Sequence, residues 1–385
     1  MSGERTKPWV GLNAHLLSSK ASYRSAGVSR YIQALLTHLP RVDDRFRYLA
    51  FMDTADAEPG GWHTSTSPWS TARPLARILW EQGIQPWAAR REHLDLLHQP
   101  VYVGPLLHPC PTVVTLHDLS FYLYPELFPR SKRIYLQHMT RYTIHHAQAI
   151  IAVSNSTKRD ALRLFSVPET KITVIPNGVE ARMRPLDDPT ATKALRRRYD
   201  LPSDLLLFLG TLEPRKNLIA LLEAYALLRQ RGNICHHLVI AGGRGWYYEK
   251  VYDATQRLGL RETVHFTGHV PDEELPIWYN AADLFIYPSL YEGFGLPPLE
   301  AMACGTPVIV SNTSSLPEVV GDAGLMVDPQ DPQALAEAIH SLLSDPPRRE
   351  RLGQAARRQA NRFSWRTTAA RTAELYHHVL EGDDA

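Results

Sequence analysis

The chain has 385 residues, 44% of them hydrophobic, which is material for about two to three domains with buried cores and excludes an intrinsically disordered protein. Its 42 Lys and Arg against 40 Asp and Glu leave a net charge of +2, so no global field holds nucleic acid. Cys110, Cys235 and Cys304 are far apart and form no CxxC pair, and the opening MSGERTKPWVGL has no signal-peptide run; both features point to a soluble protein of a reducing compartment, with neither a disulfide framework nor a cysteine-built zinc site.

In chain order, continuous apolar runs at 9–17, 47–53, 94–100, 112–118, 149–155 and 172–179 predict strands. Runs of this kind suit a parallel sheet buried on both faces. Helical stretches separate them, among them 28–39 and 130–147. Residues 180–203 are polar, charged and proline-bearing and read as a linker with one short helix. A second series follows, with strands at 205–212, 236–243, 264–270, 284–290 and 307–312, and a closing helix over 365–380. Alternating strands and helices on both sides of a linker predict two doubly wound α/β domains, over 1–185 and 200–365. Ligands of such sheets bind outside the carboxyl ends of the strands, so the cleft between two such domains is the expected site.

Residues 284–310, LFIYPSLYEGFGLPPLEAMACGTPVIV, carry the densest pattern. A strand ends near Pro288, and Glu292-Gly293-Phe294-Gly295-Leu296 leads through Pro297 and Pro298 into a short helix. The glycines permit close backbone approach and the prolines suit a first helical turn. Free N–H groups at that helix start make a ready phosphate site, although the glycines alone fit an ordinary βα turn as well. Glu292 and Glu300 would lie about 12 Å apart along one continuous helix, but Glu292 precedes the prolines and stands in the loop. Folding can therefore bring both to one cleft. Glu300 by itself also fits a carboxylate near the start of its helix.

Three further segments stand between a strand end and a helix. In Gly210-Thr211-Leu212-Glu213-Pro214-Arg215-Lys216-Asn217 two adjacent cations can neutralise a departing diphosphate, or be a solvated pair on a loop. In Thr115-Leu116-His117-Asp118-Leu119 the histidine stands at a strand's carboxyl edge, where it can meet a ligand or serve structure. Gly27 lies in Ser22-Tyr23-Arg24-Ser25-Ala26-Gly27-Val28-Ser29-Arg30-Tyr31, which bridges the first strand and first helix and also fits a simple βα turn, and no GxGxxG occurs, which weighs against a nicotinamide dehydrogenase.

The run E-G-F-G-L-P-P-L-E-A-M-A-C-G-T-P-V resembles the glutamate-x7-glutamate signature of the retaining glycosyltransferases of family four, and with the other segments the resemblance spans nearly the whole chain. It implies a GT-B fold, two Rossmann-like domains facing a central cleft. It also implies that the helix after Phe363-Ser364-Trp365 crosses back, so that 366–385 packs on the domain 1–185. By the same resemblance Glu292 contacts donor-sugar hydroxyls and Glu300 holds the ribose. The amides of Gly293, Phe294, Gly295 and Leu296 meet the diphosphate and sugar. Arg215 and Lys216, in one loop with Gly210, clamp the pyrophosphate. Val270 ends a segment beside the base, His117 lies beside the donor sugar, and Gly27 lies near the donor phosphate and acceptor. The chain departs from the family pattern at Thr211, where many members carry arginine, and at Ala26-Gly27, where a glycine pair is usual.

The function so implied is transfer of a hexose from a nucleoside diphosphate sugar to a hydroxyl of a glycan or lipid-linked acceptor, with retention, in polysaccharide biosynthesis. The subgroup leans to a mannose-like donor on GDP, with UDP-glucose or another hexose donor as the close alternative. No metal and no cofactor beyond the nucleotide-sugar co-substrate is implied. Alternative readings are a nucleotide-sugar 2-epimerase, with Asp118 as its base, and a non-catalytic nucleotide-sugar-binding subunit. His145-His146 and His236-His237 are sequence neighbours and so point apart on regular elements, making poor metal pairs. The stretch PRSKRIYLQHMTRYTIHH fits either a helix packed on the sheet with a charged outer face or one lying on an anionic surface. The expected location is cytoplasmic, with peripheral contact at the inner membrane face. Trp62, Trp69, Trp80 and Trp87 are available for stacking on sugars or for packing.

Overall fold

The apolar runs form strands with the expected burial: β-rich TVVTL and AIIA, for example, are buried at every position. A computed structural model describes residues 7–17, 26–53, 59–232 and 234–382. The chain divides into two units, one of residues 1–178 with 365–385 and one of residues 179–364.

The first unit is built on seven parallel strands: β1 (Trp9–Asn13), β2 (Arg47–Met52), β3 (His63–Thr66), β4 (Leu96–Gln99), β5 (Thr112–Leu116), β6 (Ala149–Ala152) and β7 (Ile172–Val174). Their order is β3-β2-β1-β4-β5-β6-β7, so the winding reverses between β1 and β4. The second unit has six parallel strands: β8 (Leu205–Leu209), β9 (His237–Ala241), β10 (Val264–Gly268), β11 (Leu284–Tyr287), β12 (Val308–Ser311) and β13 (Leu325–Val327). Their order is β10-β9-β8-β11-β12-β13, and the reversal falls between β8 and β11. Both units are thus Rossmann-like. Two strands were not legible as apolar runs, and both lie at a sheet edge. β3 reads HTST, and β13 has only three residues, one of them exposed.

The closing helix, Trp365–Glu381, belongs to the first unit and packs along the helix Ala26–Val42. The ring of Trp365 meets that of Tyr31 edge-on at 6.1 Å, Thr368 Oγ1 donates to the Pro176 carbonyl (2.7 Å), and Arg371 donates to the Val174 carbonyl (2.8 Å). The stretch 180–203 is not a free linker. Leu186 N–H donates to Asn280 Oδ1, Asn280 Nδ2 donates to the Arg184 carbonyl, and Arg196 donates to the Ala281 carbonyl. These bonds strap it to the helix Leu275–Ala281, so the units part at 178/179 rather than between 185 and 200. No helix among the described residues is long and apolar enough to cross a membrane.

Two histidines are sealed inside the first unit. His98 lies between Thr115 Oγ1 (2.8 Å) and Tyr376 Oη (2.5 Å), and His15 lies against Thr71 Oγ1 (2.7 Å) and the ring of Trp80. Burial pushes His98 down to about 3 and His15 down to about 4, from 6.5. Below about 6.5 the unfolded chain takes up protons that the folded chain refuses, so stability falls as pH drops, by up to ~1.4 kcal/mol per pH unit for each histidine. Buried Glu81 works the other way. Burial raises it from 4.5 to about 7, so it favours the folded chain less as pH rises through that window. The expected profile therefore declines gently from pH 6.5 to 4.5 and steeply below. Urea denaturation at stepped pH checks this, and equal midpoints at pH 6.5 and 4 would contradict it.

Candidate active site

The reversal between β8 and β11 in the second unit leaves a crevice at their carboxyl ends. The loops leaving these two strands carry the expected residues. Pro214–Lys216 forms a single 3-10 turn after β8, and Asn217 takes the left-handed conformation (φ 57°) before the helix Leu218–Gln230. Across the crevice, Glu292 stands in the loop after β11, and its N–H donates to Ser314 Oγ (2.9 Å). The Ser315 hydroxyl donates to the carbonyls of Glu292 and Phe294 at 3.0 and 2.8 Å.

Glu292 joins the two cations. Lys216 Nζ donates to Glu292 Oε1 and to Tyr287 Oη, each at 2.6 Å. Arg215 donates to Glu292 Oε2 (3.1 Å), to the Tyr291 carbonyl (2.7 Å) and to Glu213 Oε1 (2.8 Å). Glu213, Lys216 and Glu292 are all buried. Two cations and two carboxylates sum to zero charge, which makes their burial tolerable. Burial raises the Glu292 carboxyl, but Arg215 and then Lys216 outweigh it and hold it at about 2. Burial and the Arg215 charge push the Lys216 ammonium down from its ordinary value.

The rest of the signature is equally fixed. Gly293, Phe294 and Gly295 are buried and Leu296 is half-buried. Gly295 has φ 107° and precedes the helix Leu296–Ala303, and a Cβ on it would stand 2.8 Å from Leu316 Cδ2. Glu300 sits at the fifth helical position, beyond the first turn, and accepts from Tyr279 Oη at 2.8 Å. It is therefore not a helix-start carboxylate. Gly210 follows β8 directly and donates to the Ala241 carbonyl. Its own carbonyl lies so near Gly242 that a Cβ there would stand 1.9 Å from it, with φ 149° adding strain. Gly242→Ala is expected to destabilise by on the order of 3 kcal/mol and to displace the loop 210–217, read as a lower denaturant midpoint. Val270 is buried just after β10, and the Gly268 carbonyl before it accepts from Gly242 N–H.

His117 and Gly27 belong to the first unit. His117 is half-buried at the end of β5, donates from Nε2 to the Pro100 carbonyl (2.7 Å) and meets the Tyr31 ring edge-on. Burial lowers its pKa. Asp118 accepts from both the N–H and hydroxyl of Ser120, so it shapes the loop. Gly27 is exposed in the first turn of its helix, while Ser22 to Ser25 lie outside the described residues. Trp62 and Trp80 are buried in the core, and Trp69 and Trp87 are exposed.

Some members of these networks carried no signal. Glu213 and Tyr287 hold the two cations, and only the closeness of Glu213 to them in sequence hinted at it. At the reversal of the first sheet, Asn13 Nδ2 donates to Gln99 Oε1 (2.9 Å) and to Glu81 Oε1 (3.4 Å), and Gln99 Nε2 donates to Gln85 Oε1 (3.0 Å). Asn13, Gln99 and the stretch that holds Glu81 and Gln85 come from separate segments, so no spacing could reveal that they meet.

Comparison with known proteins matches this arrangement to one family. A profile described as Glycosyl transferases group 1 matches residues 193–359, and one described as Glycosyltransferase Family 4 matches residues 25–182. The chain is 38% identical over 295 residues to the O-antigen chain mannosyltransferase B of Escherichia coli, covering 76% of each. The chain belongs to glycosyltransferase family 4. This glycosyltransferase is an enzyme of the hexosyltransferase class, and its two units have the GT-B fold. Sucrose-phosphate synthase from Thermosynechococcus elongatus superposes with a TM-score of 0.77 at 22% identity, over 96% of this glycosyltransferase and 98% of that chain. HepE from Anabaena, solved in complex with UDP and glucose, gives 0.75 at 21% identity, over 97% and 100%.

Proposed function

We propose that this glycosyltransferase moves a mannose-like hexose from a nucleoside diphosphate sugar, GDP-mannose first, to a hydroxyl of a growing glycan or lipid-linked acceptor, with retention and without a metal. The observation that carries it is the network of half-buried Arg215 with buried Lys216 and Glu292 at the reversal of the second sheet. A diphosphate entering there meets two cations within reach of one carboxylate. The bond from the anomeric carbon to the diphosphate oxygen breaks while the bond to the acceptor oxygen forms on the same face. The acceptor's proton passes to the departing diphosphate, whose growing charge Arg215 and Lys216 stabilise. Glu292, kept ionised by these cations, is an acceptor for sugar hydroxyls. Glu300 and the amides of Gly293 to Leu296 bind the nucleotide side, with Gly210 and Val270 lining its approach. His117 serves the sugar and Gly27 the acceptor side.

The mannose preference is supported by the name of the Escherichia coli relative, which also supports a role in polysaccharide biosynthesis. Exposed Arg130, Lys132 and Ile134 on the helix Arg130–His146 support peripheral contact with the cytoplasmic membrane face. The test incubates the protein with GDP-mannose, UDP-glucose and related donors, with glycan and lipid-linked acceptors, in EDTA. Transfer from GDP-mannose with an α-linked product is expected. Neither transfer nor donor hydrolysis with any pair would overturn the proposal.

A further inference from the structure

The first unit carries an apolar patch on its surface. Among the described residues, seven of the ten exposed large apolar side chains lie between Trp69 and Ile134. The centre of the patch is one unbroken helical stretch: Pro74–Leu79, a π turn over Trp80–Ile84, and Gln85–Arg91. Its inward positions hold Trp80, Glu81, Gln85, Ala88 and Ala89, all buried. Its outward positions recur every four residues. Leu75 is 77% exposed, Leu79 68% and Trp87 60%, and Gly83 and Arg91 are exposed as well. A surface helix ordinarily turns its apolar stripe inward and its polar face to water. Here a carboxylate and an amide are inside, and leucine and tryptophan are outside. Contiguous exposed apolar patches mark interaction sites.

A neighbouring loop extends the patch. Gln82 Oε1 accepts the Leu106 N–H (2.9 Å), Gln82 Nε2 donates to the Gly104 carbonyl (3.2 Å), and Tyr142 of the helix Arg130–His146 donates to the Leu106 carbonyl (2.7 Å). Exposed Leu106 and Leu107 are thereby held between the two helical segments. Trp69 Nε1 donates to the Ala76 carbonyl (3.3 Å), which brings another exposed indole to this stretch. The charge is one-sided. Residues 69–91 carry Arg73, Arg77, Arg90 and Arg91 and a single carboxylate, the buried Glu81, while residues 130–146 carry four Lys or Arg and no carboxylate. The Arg91 guanidinium lies over the Trp87 ring, 5.5 Å from its centre. We propose that Leu75, Leu79, Trp87, Leu106 and Leu107 anchor the first unit in an anionic membrane surface, with Arg73, Arg90 and Arg91 meeting lipid phosphates. A second copy of the chain, joined by a two-fold axis, would set cations against cations, whereas lipid phosphates complement them. Tryptophan and arginine beside a leucine stripe is the composition of a helix lying in the membrane interface. This anchoring rests on the membrane contact read above for the helix Arg130–His146 and supplies the apolar surface that goes with it.

The test sediments the full chain with vesicles of phosphatidylglycerol mixed with phosphatidylcholine, and with vesicles of phosphatidylcholine alone. Expected are binding to the anionic vesicles, weakened by salt, and far less binding to the neutral ones. The pair Leu75→Ser and Leu79→Ser should lower the affinity by about 10-fold or more, because two leucine side chains no longer leave water. The pair Arg90→Glu and Arg91→Glu should remove the preference for anionic vesicles, which keeps the test decisive if the serine pair folds poorly. All four positions are exposed, so melting temperature and transfer to a soluble acceptor should stay at wild-type values. Wild-type affinity in the serine pair, or an undiminished anionic preference in the glutamate pair, would overturn the proposal. If Arg130→Glu with Lys132→Glu then abolishes binding, the contact through the helix Arg130–His146 stands without this anchor. A wild type that sediments with neither vesicle would overturn both. A dimer in solution that the serine pair splits would make a second copy the occupant, and would overturn the proposal as well.

Discussion

Lys216→Ala lowers turnover by about 10²-fold or more, the scale of removing one preorganised stabiliser of developing charge. The ammonium is buried and held by Glu292 and Tyr287, so it needs no reorganisation when a leaving diphosphate gains charge. Arg215→Ala should cost a similar factor, since its guanidinium is oriented by Glu213 and by the Tyr291 carbonyl. The double variant should fall short of the product of the two factors, because both cations act through Glu292 and neighbouring sites do not add. Single-turnover rates at saturating donor measure this directly. Wild-type rates in both single variants would remove the phosphate role from this loop.

Glu292→Ala strikes the fold as well as the rate. It takes a carboxylate away from buried Lys216 and half-buried Arg215, and stranding a buried charge such as that of Lys216 costs about 3–5 kcal/mol. The pH dependence separates this from simple loss of packing. The folded carboxyl is held at about 2 against 4.5 in the free group. Its stabilisation is therefore complete above about 4.5 and is lost as pH falls towards 2. The gap in unfolding free energy between wild type and Glu292→Ala should be widest near pH 7 and shrink on acidification. Glu292→Gln keeps the shape and a hydrogen-bond acceptor, so it should unfold later than the alanine variant yet remain slow. A gap that stays constant from pH 7 to 3 would show that the charge pairing contributes nothing.

The parallel sheets were legible because strands buried on both faces cannot avoid long apolar runs. Edge strands escape that pressure, which is why HTST at β3 and the short LMV at β13 gave no signal. The signature around Glu292 was legible because one contiguous segment supplies the turn, the prolines and the helix start. What it could not reveal is that the cations after β8 are already paired with that same glutamate, since the partners come from loops some seventy residues apart. Glu300 shows the same limit on a smaller scale. Its place beyond the first helical turn depends on where the helix begins, and its tyrosine partner lies on another helix. Asp204, His236 and Asp283, which precede β8, β9 and β11, are spread over 204–283 and meet only because these strands lie side by side.

The return of the last helix to the first unit reverses the order in which the protein can be completed during synthesis. The second unit is one unbroken stretch, 179–364, and has all of its chain as soon as that stretch leaves the ribosome. The first unit, though begun earlier, lacks the buried side chains of Trp365, Ala369, Ala373 and Tyr376 until residues 365–376 emerge. Domains usually mature from the amino end as they are made. Here the amino-terminal half stays open longest, with the apolar face of the helix Ala26–Val42 uncovered, and chaperone dependence should concentrate on that half.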